Sequence, residues 1–153
     1  MKKTFILLLA LLISTVTFAQ IDFSGNWKLN ASKSKLGDQF SFAPKEIIVV
    51  QEGNDLNLEK HSDFQGQEFT TTDKLTLDGK ECVNAGFMDT EKKSTAVWSD
   101  DKKMLTITSK IPMQGETMTI TEVYKIDGEC MIVDMNSSSS YGDMVETQVY
   151  DKK

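Results

Sequence analysis

Apolar residues recur at every second position along short segments of this chain, and Gly, Asp and Asn separate those segments. Successive side chains of a β-strand point to opposite faces, so a period of two predicts half-buried strands rather than helices. The first such segment, 23–30, places Phe23, Trp27 and Leu29 on one face and polar residues on the other. The pattern therefore predicts an all-β protein.

Tight turns join the predicted strands, since Gly53-Asn54, Asp78-Gly79 and Asp127-Gly128 supply residues that adopt the positive φ of such turns. Short links connect antiparallel neighbours, which favours an up-and-down meander. Segment 84–92 has the weakest pattern of apolar residues, so its secondary structure is the least clearly predicted. The predicted strands, nine or ten in all, cover residues 23–30, 45–51, 56–59, 69–77, about 82–83, 94–98, 104–108, 116–126, 131–136 and 144–150.

An open sheet of this many strands would curl and leave two unpaired edges, whereas closure into a barrel removes the edges. The alternative is a two-sheet sandwich, which needs long connections between its sheets. Only the polar loop 31–44 is long enough to provide one. The sequence favours a single antiparallel up-and-down β-barrel domain over residues 20–153, with roughly eight to ten strands.

The N-terminus has the features of a secretory signal peptide over residues 1–19. Two lysines precede an apolar run over 5–13, and small residues lead to Ala19. This arrangement predicts cleavage after Ala19, a mature chain that begins at Gln20, and export to the periplasm or the exterior. The run is shorter than the roughly 20 residues that span a bilayer, and an uncleaved N-terminal anchor is the alternative.

Charge and residue types exclude several partners. The sequence carries a formal net charge of −6, and loss of the two signal lysines would make the mature chain more acidic. An acidic surface without a basic run repels phosphate backbones, so no nucleic acid partner is predicted. The chain also contains no arginine, so no guanidinium is available to bind carboxylates or phosphates in a bidentate manner.

The sequence predicts no metal site, no cofactor and no catalytic centre. The single histidine, His61, rules out a multi-histidine metal site and is expected in solvent near the end of a strand. No Gly-x-Ser-x-Gly, phosphate-binding glycine loop or Cys-x-x-Cys occurs, and Ser137–Ser140 is expected to form a polar loop. A carboxylate-based isomerase or hydrolase ranks third among the function classes.

Strand periodicity places two carboxylates on apolar faces. The register that buries Met118 and Tyr124 also turns Glu122 inward, and Asp73 shares a face with Phe69 in the same way. A carboxylate inside a barrel must be paired, hydrated or protonated. Either water in the barrel mouth satisfies both groups, or they orient the polar end of a ligand. The predicted ligand-facing residues are Phe69, Asp73, Trp98, Met118, Glu122, Tyr124 and Met135.

Cys82 and Cys130 are candidates for a disulfide, because an exported chain meets oxidising conditions and the count is even. In an alternating meander both follow turns at the same end of the barrel, but three strands separate them. A bridge needs Cα atoms within about 7 Å, which a flattened barrel end provides and a round one does not. The sequence is therefore compatible both with a disulfide between the two cysteines and with two free thiols.

The residues Gly25-Asn26-Trp27 at the start of the first strand, followed by such a meander, resemble the calycin barrels, which are the lipocalins, fatty-acid-binding proteins and avidins. The segments 23–37, 43–51 and 149–153 are similar to the small secreted lipocalin-like proteins common in Bacteroidetes and soil bacteria. The resemblance implies a barrel that is closed near the tryptophan and has an interior able to hold a small apolar ligand.

The resemblance implies structural roles for Gly25 and Trp27. The Trp27 ring is expected to plug the closed end rather than to contact a ligand. In lipocalins an arginine from the last strand lies over this ring, so here Lys152 or Lys153 would have to supply the cation–π contact. The later Thr-Asp-x-Tyr-like turn of lipocalins is missing. Loop 31–44 is too short for the helical pair that forms the ligand portal of fatty-acid-binding proteins.

Two function classes follow from the sequence. The first is an exported, monomeric binding protein for a small apolar or amphipathic molecule. The second is a non-enzymatic interaction protein with a filled interior, whose loops or outer surface contact another exported protein. The volume enclosed by the barrel separates the two, because an interior filled by side chains leaves no small-molecule site.

Overall fold

Ten antiparallel strands form a nearly closed up-and-down barrel in the computed structural model of the protein. Strands that follow each other in the sequence are hydrogen-bonded side by side, except the fourth and fifth. The first strand also pairs with the last. One continuous sheet contains all ten strands, so the barrel prediction is confirmed and the sandwich is excluded. The strands are β1 (Gly25–Leu29), β2 (Glu46–Glu52), β3 (Asp55–Phe64), β4 (Gln67–Thr76), β5 (Cys82–Ala85), β6 (Glu91–Trp98), β7 (Met104–Met113), β8 (Glu116–Asp127), β9 (Cys130–Ser139) and β10 (Gly142–Lys152).

The predicted signal peptide lies outside the described residues, apart from Ala19. No helix within the described residues is long and apolar enough to cross a membrane. The connection between β1 and β2 contains turns and an isolated bridge but no helix among its described residues, as its short length predicts. The structure describes residues 19–38, 40–64, 66–86, 90–140 and 142–153.

A seam between β4 and β5 joins the two edges of the sheet. No backbone ladder links these strands within the described residues. Instead the Asn84 amide donates to the Lys74 carbonyl at 3.0 Å, and the Lys74 backbone N–H donates to Asn84 Oδ1 at 2.9 Å. Inside the barrel, Lys92 of β6 lies 2.5 Å from Asp73 of β4. Side chains therefore close the barrel at this seam.

Several strands run further than the alternation of apolar residues predicts. His61 lies within β3 and not at its end, on the outer face, with Nε2 2.7 Å from Glu59 Oε1. The predicted serine loop is wrong at Ser137–Ser139, which belong to β9, and Ser137 is buried. The backbone ladders with β8 and β10 continue through these polar residues, which the hydrophobic pattern does not reveal.

An aromatic cluster fills the closed end of the barrel. The rings of Phe23 and Trp98 stack at 5.9 Å, and Tyr124 meets Phe23 edge-on at 6.2 Å. Trp27 is 3% exposed, and its indole Nε1 donates to the Phe23 carbonyl at 2.8 Å. This position matches the predicted structural role of Trp27 as the plug of the closed end.

Lys152 supplies the cation–π contact that lipocalins make with an arginine. Its ammonium lies 5.4 Å from the Trp27 ring centroid, and the two residues are register partners between β10 and β1. Gly25 makes room for the lysine stem, because a Cβ there would lie 3.0 Å from Lys152 Cε, and its φ of 143° is unfavourable for other residues. The Gly-x-Trp motif and the last strand therefore pack as one unit.

Both cysteines are free thiols in the structure. Cys82 is the register partner of the buried Ser94 and packs against the core, whereas Cys130 precedes the buried Met131 and lies on the outer face. Side chains on opposite faces of one sheet cannot meet, so the disulfide alternative is absent. The Cys130 thiol donates to Asp151 Oδ1 at 3.3 Å, and this hydrogen bond raises the pKa of the thiol.

Thiol titration of the unfolded, unreduced protein should find both cysteines reactive. In the folded protein Cys130 should react slowly, because its pKa is raised and the thiolate is the reactive form. Asp151→Asn should accelerate that reaction, because it removes the carboxylate that holds the proton. Loss of both thiols in freshly purified protein, restored by a reductant, would contradict the free state.

Candidate functional site

A buried ion pair crosses the barrel interior on the mouth side of the aromatic cluster. Lys60 Nζ donates to both carboxylate oxygens of Glu122, at 2.7 and 2.8 Å, and each side chain is 12% exposed. The Tyr124 hydroxyl donates to Glu122 Oε1 at 3.2 Å. β3 and β8 lie five strands apart in the sheet order, so this pair links opposite walls of the barrel.

A second ion pair lies at the seam. Lys92 Nζ is 2.5 Å from Asp73 Oδ1, and their side chains are 13% and 6% exposed. Within the described residues, no further hydrogen-bond donor reaches the buried Asp73 Oδ1 beside this ammonium. The oxygen is therefore able to accept one from another molecule.

A third carboxylate, Glu146, fastens the connection between β1 and β2 to the interior. It is 1% exposed, and its two oxygens accept hydrogen bonds from the Gly37 backbone N–H and from the Gln148 amide, both at 2.9 Å. The Tyr150 hydroxyl in turn donates to Gln148 Oε1 at 2.8 Å. A Cβ at Gly37 would lie 2.2 Å from the Phe40 carbonyl oxygen, so the backbone at this point has no room for a side chain.

Three buried groups, Lys60, Tyr124 and Tyr150, have pKa values above their usual ranges. Burial disfavours the charged form of Lys60, but the charges of Glu122, Tyr124 and Asp73 and the hydrogen bond to Glu122 together outweigh it and hold the pKa of Lys60 well above its usual range. Burial raises the pKa of Tyr124, and the Glu122 carboxylate adds to that rise. Burial likewise raises the pKa of Tyr150.

These three groups predict a loss of stability at alkaline pH. Each holds its proton more tightly in the folded chain than in the unfolded one, so the stabilisation is complete below about pH 10 and is lost as the pH rises further. Each group then removes about 1.4 kcal/mol of unfolding free energy per pH unit. Urea unfolding at a series of alkaline pH values measures how the free energy of unfolding changes with pH. Tyr124→Phe should reduce this slope by the contribution of one group, about 1.4 kcal/mol per pH unit. A flat profile above pH 10 would contradict the prediction.

The structure places most predicted site residues on the inward face. Glu122 is the register partner of the buried Ile107 and Met135, which confirms its predicted orientation. Asp73 is 4% exposed, and its charge acts on both Lys60 and Tyr124. Asp73, Glu122 and Tyr124 thus surround one ammonium group.

Three predicted residues lie away from this polar cluster. Trp98 belongs to the aromatic closed end, and Met118 is partly buried near the start of β8, beside Ile111. Phe69 is 48% exposed near the start of β4, on the same face of the strand as the buried Asp73, so it is not enclosed in the interior. It lies on the rim of the barrel mouth, where its strand begins.

Sequence periodicity missed both lysines. Lys60 has the same parity as Leu56 and Leu58, so extending that strand by two residues would have identified it. Lys92 lies at the end of segment 84–92, for which the sequence predicts no clear secondary structure. Of the states open to a carboxylate inside the barrel, the structure shows pairing with a lysine for both Asp73 and Glu122.

Aromatic side chains are exposed at the mouth. Phe40 and Phe42 meet edge-on with centroids 4.8 Å apart, and they are 44% and 43% exposed. Together with Phe69 they form what we call the mouth aromatics. Exposed aromatic groups at the entrance of a barrel are suited to contact an apolar molecule or a partner surface.

A groove of about 610 Å³ lies outside the closed end, between Trp27 and the turn at Gly128. Several of its charged side chains are already engaged, since Lys33 pairs with Asp151 at 2.9 Å and Lys152 lies over Trp27. Hydrogen bonds to Asp151, the strongest from Asn30, lower its pKa to about 2. Within the described residues, no cluster of three or more His, Cys, Asp or Glu could hold a metal ion.

No protein-family model matches the chain, and no curated protein matches it in sequence. Several solved structures match its fold. The zebrafish ileal bile-acid-binding protein, complexed with cholic acid, is 16% identical with a TM-score of 0.60, over 86% of this chain and 98% of that one. A secretory abundant heat soluble protein from Ramazzottius varieornatus is 13% identical with a TM-score of 0.63, over 89% and 98%.

The fatty-acid-binding protein of Schistosoma mansoni, in complex with arachidonic acid, is 17% identical with a TM-score of 0.55, over 86% of this chain and 96% of that one. Identities this low show a shared fold and nothing finer. The calycin part of the resemblance is confirmed by these matches. The protein has an all-β, ten-stranded, antiparallel and nearly closed barrel fold of the calycin type, similar to the fold of the fatty-acid-binding proteins.

Proposed function

We propose that this protein binds a small amphipathic molecule inside its barrel and belongs to the small exported lipocalin-like proteins. The observation that carries the proposal is the amphipathic lining of the interior. An aromatic closed end of Phe23, Trp98 and Tyr124 lies next to a buried layer of charged and hydroxyl groups around Glu122. An apolar body and a polar end of one ligand would each find a matching surface.

The matched structures support this proposal. The zebrafish protein was solved with cholic acid and the Schistosoma protein with arachidonic acid, and both ligands combine an apolar body with a polar end. Met118 and Met135 on the inward face add soft, adaptable contacts. The mouth aromatics supply apolar surface at the entrance.

Mass spectrometry of the natively purified protein tests the proposal. We expect solvent extraction to release a small amphipathic molecule in stoichiometric amount, and the delipidated protein to bind it again. Protein denatured before extraction and an unrelated protein from the same preparation are the controls. Absence of any such molecule, together with no binding by the delipidated protein, would refute the proposal.

The export part of the proposal rests on the signal features of residues 1–19. N-terminal sequencing of material recovered outside the cytoplasm should start at Gln20, with allowance for cyclisation of the glutamine. Retention of Met1 in a membrane fraction would instead support the uncleaved anchor.

A second candidate function is supported by the mouth aromatics. Three partly exposed phenylalanines on one rim suit contact with another exported protein, and an ion pair that crosses the interior reduces the space for a ligand. Substitution of Phe40, Phe42 and Phe69 by serine separates the two candidates. It should abolish capture of a protein partner, while a ligand held deep in the barrel should still bind.

A further inference from the structure

We infer that the barrel interior selects an uncharged amphiphile with hydroxyl groups and discriminates against a carboxylate. The inference deepens the proposed function and rests on it. The ligands of the matched structures are carboxylic acids, so the inference sets this protein apart from them.

The interior holds no spare cation for a carboxylate among the described residues. Its two buried ammonium groups, Lys60 and Lys92, are each paired with a carboxylate of the protein. A ligand carboxylate at either lysine would compete with Glu122 or Asp73 for the ammonium, and a carboxylate that it displaced would be left buried and unpaired. Leaving a buried charge without its partner is strongly unfavourable.

The remaining interior charge is negative. Glu146 is buried with two uncharged donors, the Gly37 N–H and the Gln148 amide, and no cation from the described part of the chain is paired with it. Glu116 adds a further carboxylate on the inward parity of β8 at the mouth, with its Oε1 buried. An anionic head group would therefore enter a region of like charge, which repels it.

Besides the Glu116 oxygen, two buried polar atoms in the described part of the chain can each take a further hydrogen bond, and their chemistry favours a hydroxyl. Trp98 Nε1 has no acceptor, and Asp73 Oδ1 has only the Lys92 ammonium beside it. Asp73 Oδ1 can only accept a hydrogen bond, whereas Trp98 Nε1 can only donate one. A carboxylate cannot donate to Asp73, and a quaternary ammonium can neither donate nor accept. A hydroxyl group does both, so a ligand with hydroxyl groups can satisfy each atom.

Uncharged hydroxyls also line the same interior. Ser94 and Ser109 are buried and share a hydrogen bond of 2.8 Å, and Ser137 is buried on β9. These side chains can exchange bonds with a ligand hydroxyl without breaking an ion pair. The polar part of the interior is thus complementary to alcohol groups rather than to a charge.

Three probes with the same alkyl chain test the inference, namely glycerol monolaurate, lauric acid and dodecyltrimethylammonium. Isothermal titration of the delipidated full chain, below the micelle concentration of each probe, should give at least about tenfold tighter binding of the glyceride than of either charged probe. Lauric acid or the ammonium probe binding as tightly as the glyceride would overturn the inference and leave the proposed function standing. If none of the three binds, both fail for aliphatic amphiphiles.

A charge-removing variant sharpens the test. Glu122→Gln frees Lys60 of its partner, so the affinity for lauric acid relative to the glyceride should rise by about tenfold or more. Glu59→Gln is the matched control, because Glu59 lies on the outer face of β3 beside His61, and the ratio should stay unchanged. Asp73→Asn, which frees Lys92, gives the same readout if Glu122→Gln fails to fold. An unchanged ratio in the folded variant would overturn the inference.

Discussion

Replacing Lys60 by methionine is expected to destabilise the protein by about 3–5 kcal/mol. The substitution keeps the length of the side chain but leaves the Glu122 carboxylate buried without its cation. Glu122 would retain one hydrogen bond, from the Tyr124 hydroxyl, which does not compensate for the lost charge. Urea unfolding at neutral pH measures the change in free energy.

Lys125→Met is the matched control for this experiment. Lys125 pairs with Asp134 at 2.6 Å, a distance close to that of the buried pair, but the two side chains are 38% and 41% exposed. A surface pair contributes at most about 1 kcal/mol, so the control should change stability little. The double variant Lys60→Met with Glu122→Leu should regain most of the loss, since it removes both charges. If Lys60→Met and Lys125→Met lowered the free energy of unfolding equally, burial of the Lys60–Glu122 pair would not contribute to stability.

Trp27→Ala is expected to cost about 3–5 kcal/mol, because it removes a large buried ring from the closed end. Three interactions end with the ring: its packing against the aromatic cluster, the hydrogen bond to the Phe23 carbonyl and the contact with Lys152. Trp27→Phe should cost less, because it keeps much of the apolar volume. Thermal and urea unfolding give the two values.

Lys152→Met separates the cation–π contact from the packing of the ring. The contact lies at the edge of the barrel, so its removal should cost about 0.5–2 kcal/mol. A loss for Trp27→Ala no larger than that for Lys152→Met would contradict the assignment of Trp27 as the plug.

Much of the architecture follows from the sequence because a strand has a strict period of two. The inward direction of Glu122 was predictable, since any other register would bury threonines together with Lys125 in place of Met118 and Tyr124. The closing turns were equally predictable from their Gly and Asp residues. Both arguments use residues that are near one another in the chain.

The partners inside the barrel were not predictable, because they come from strands far apart in the chain. Sequence periodicity shows that Glu122 turns inward, but only the sheet order shows that Lys60 faces it from the opposite wall. The outward position of Cys130 follows from the extension of β9 by one residue beyond its apolar core. Strand ends made of polar residues are held by backbone hydrogen bonds. Such ends cannot be predicted from the alternation of apolar residues in the sequence.

The seam between β4 and β5 gives the barrel a direction in which it can open. Every other boundary is a backbone ladder, whereas within the described residues this one is held by two hydrogen bonds of Asn84, a contact of the Thr76 hydroxyl with the Cys82 thiol at 3.6 Å, and the Lys92–Asp73 ion pair. Each such neutral hydrogen bond contributes only about 1 kcal/mol net, so parting here costs far less than stripping a ladder. A molecule too broad for the mouth would therefore have a lateral route between the two walls, and its passage would disturb Asp73 before any other carboxylate.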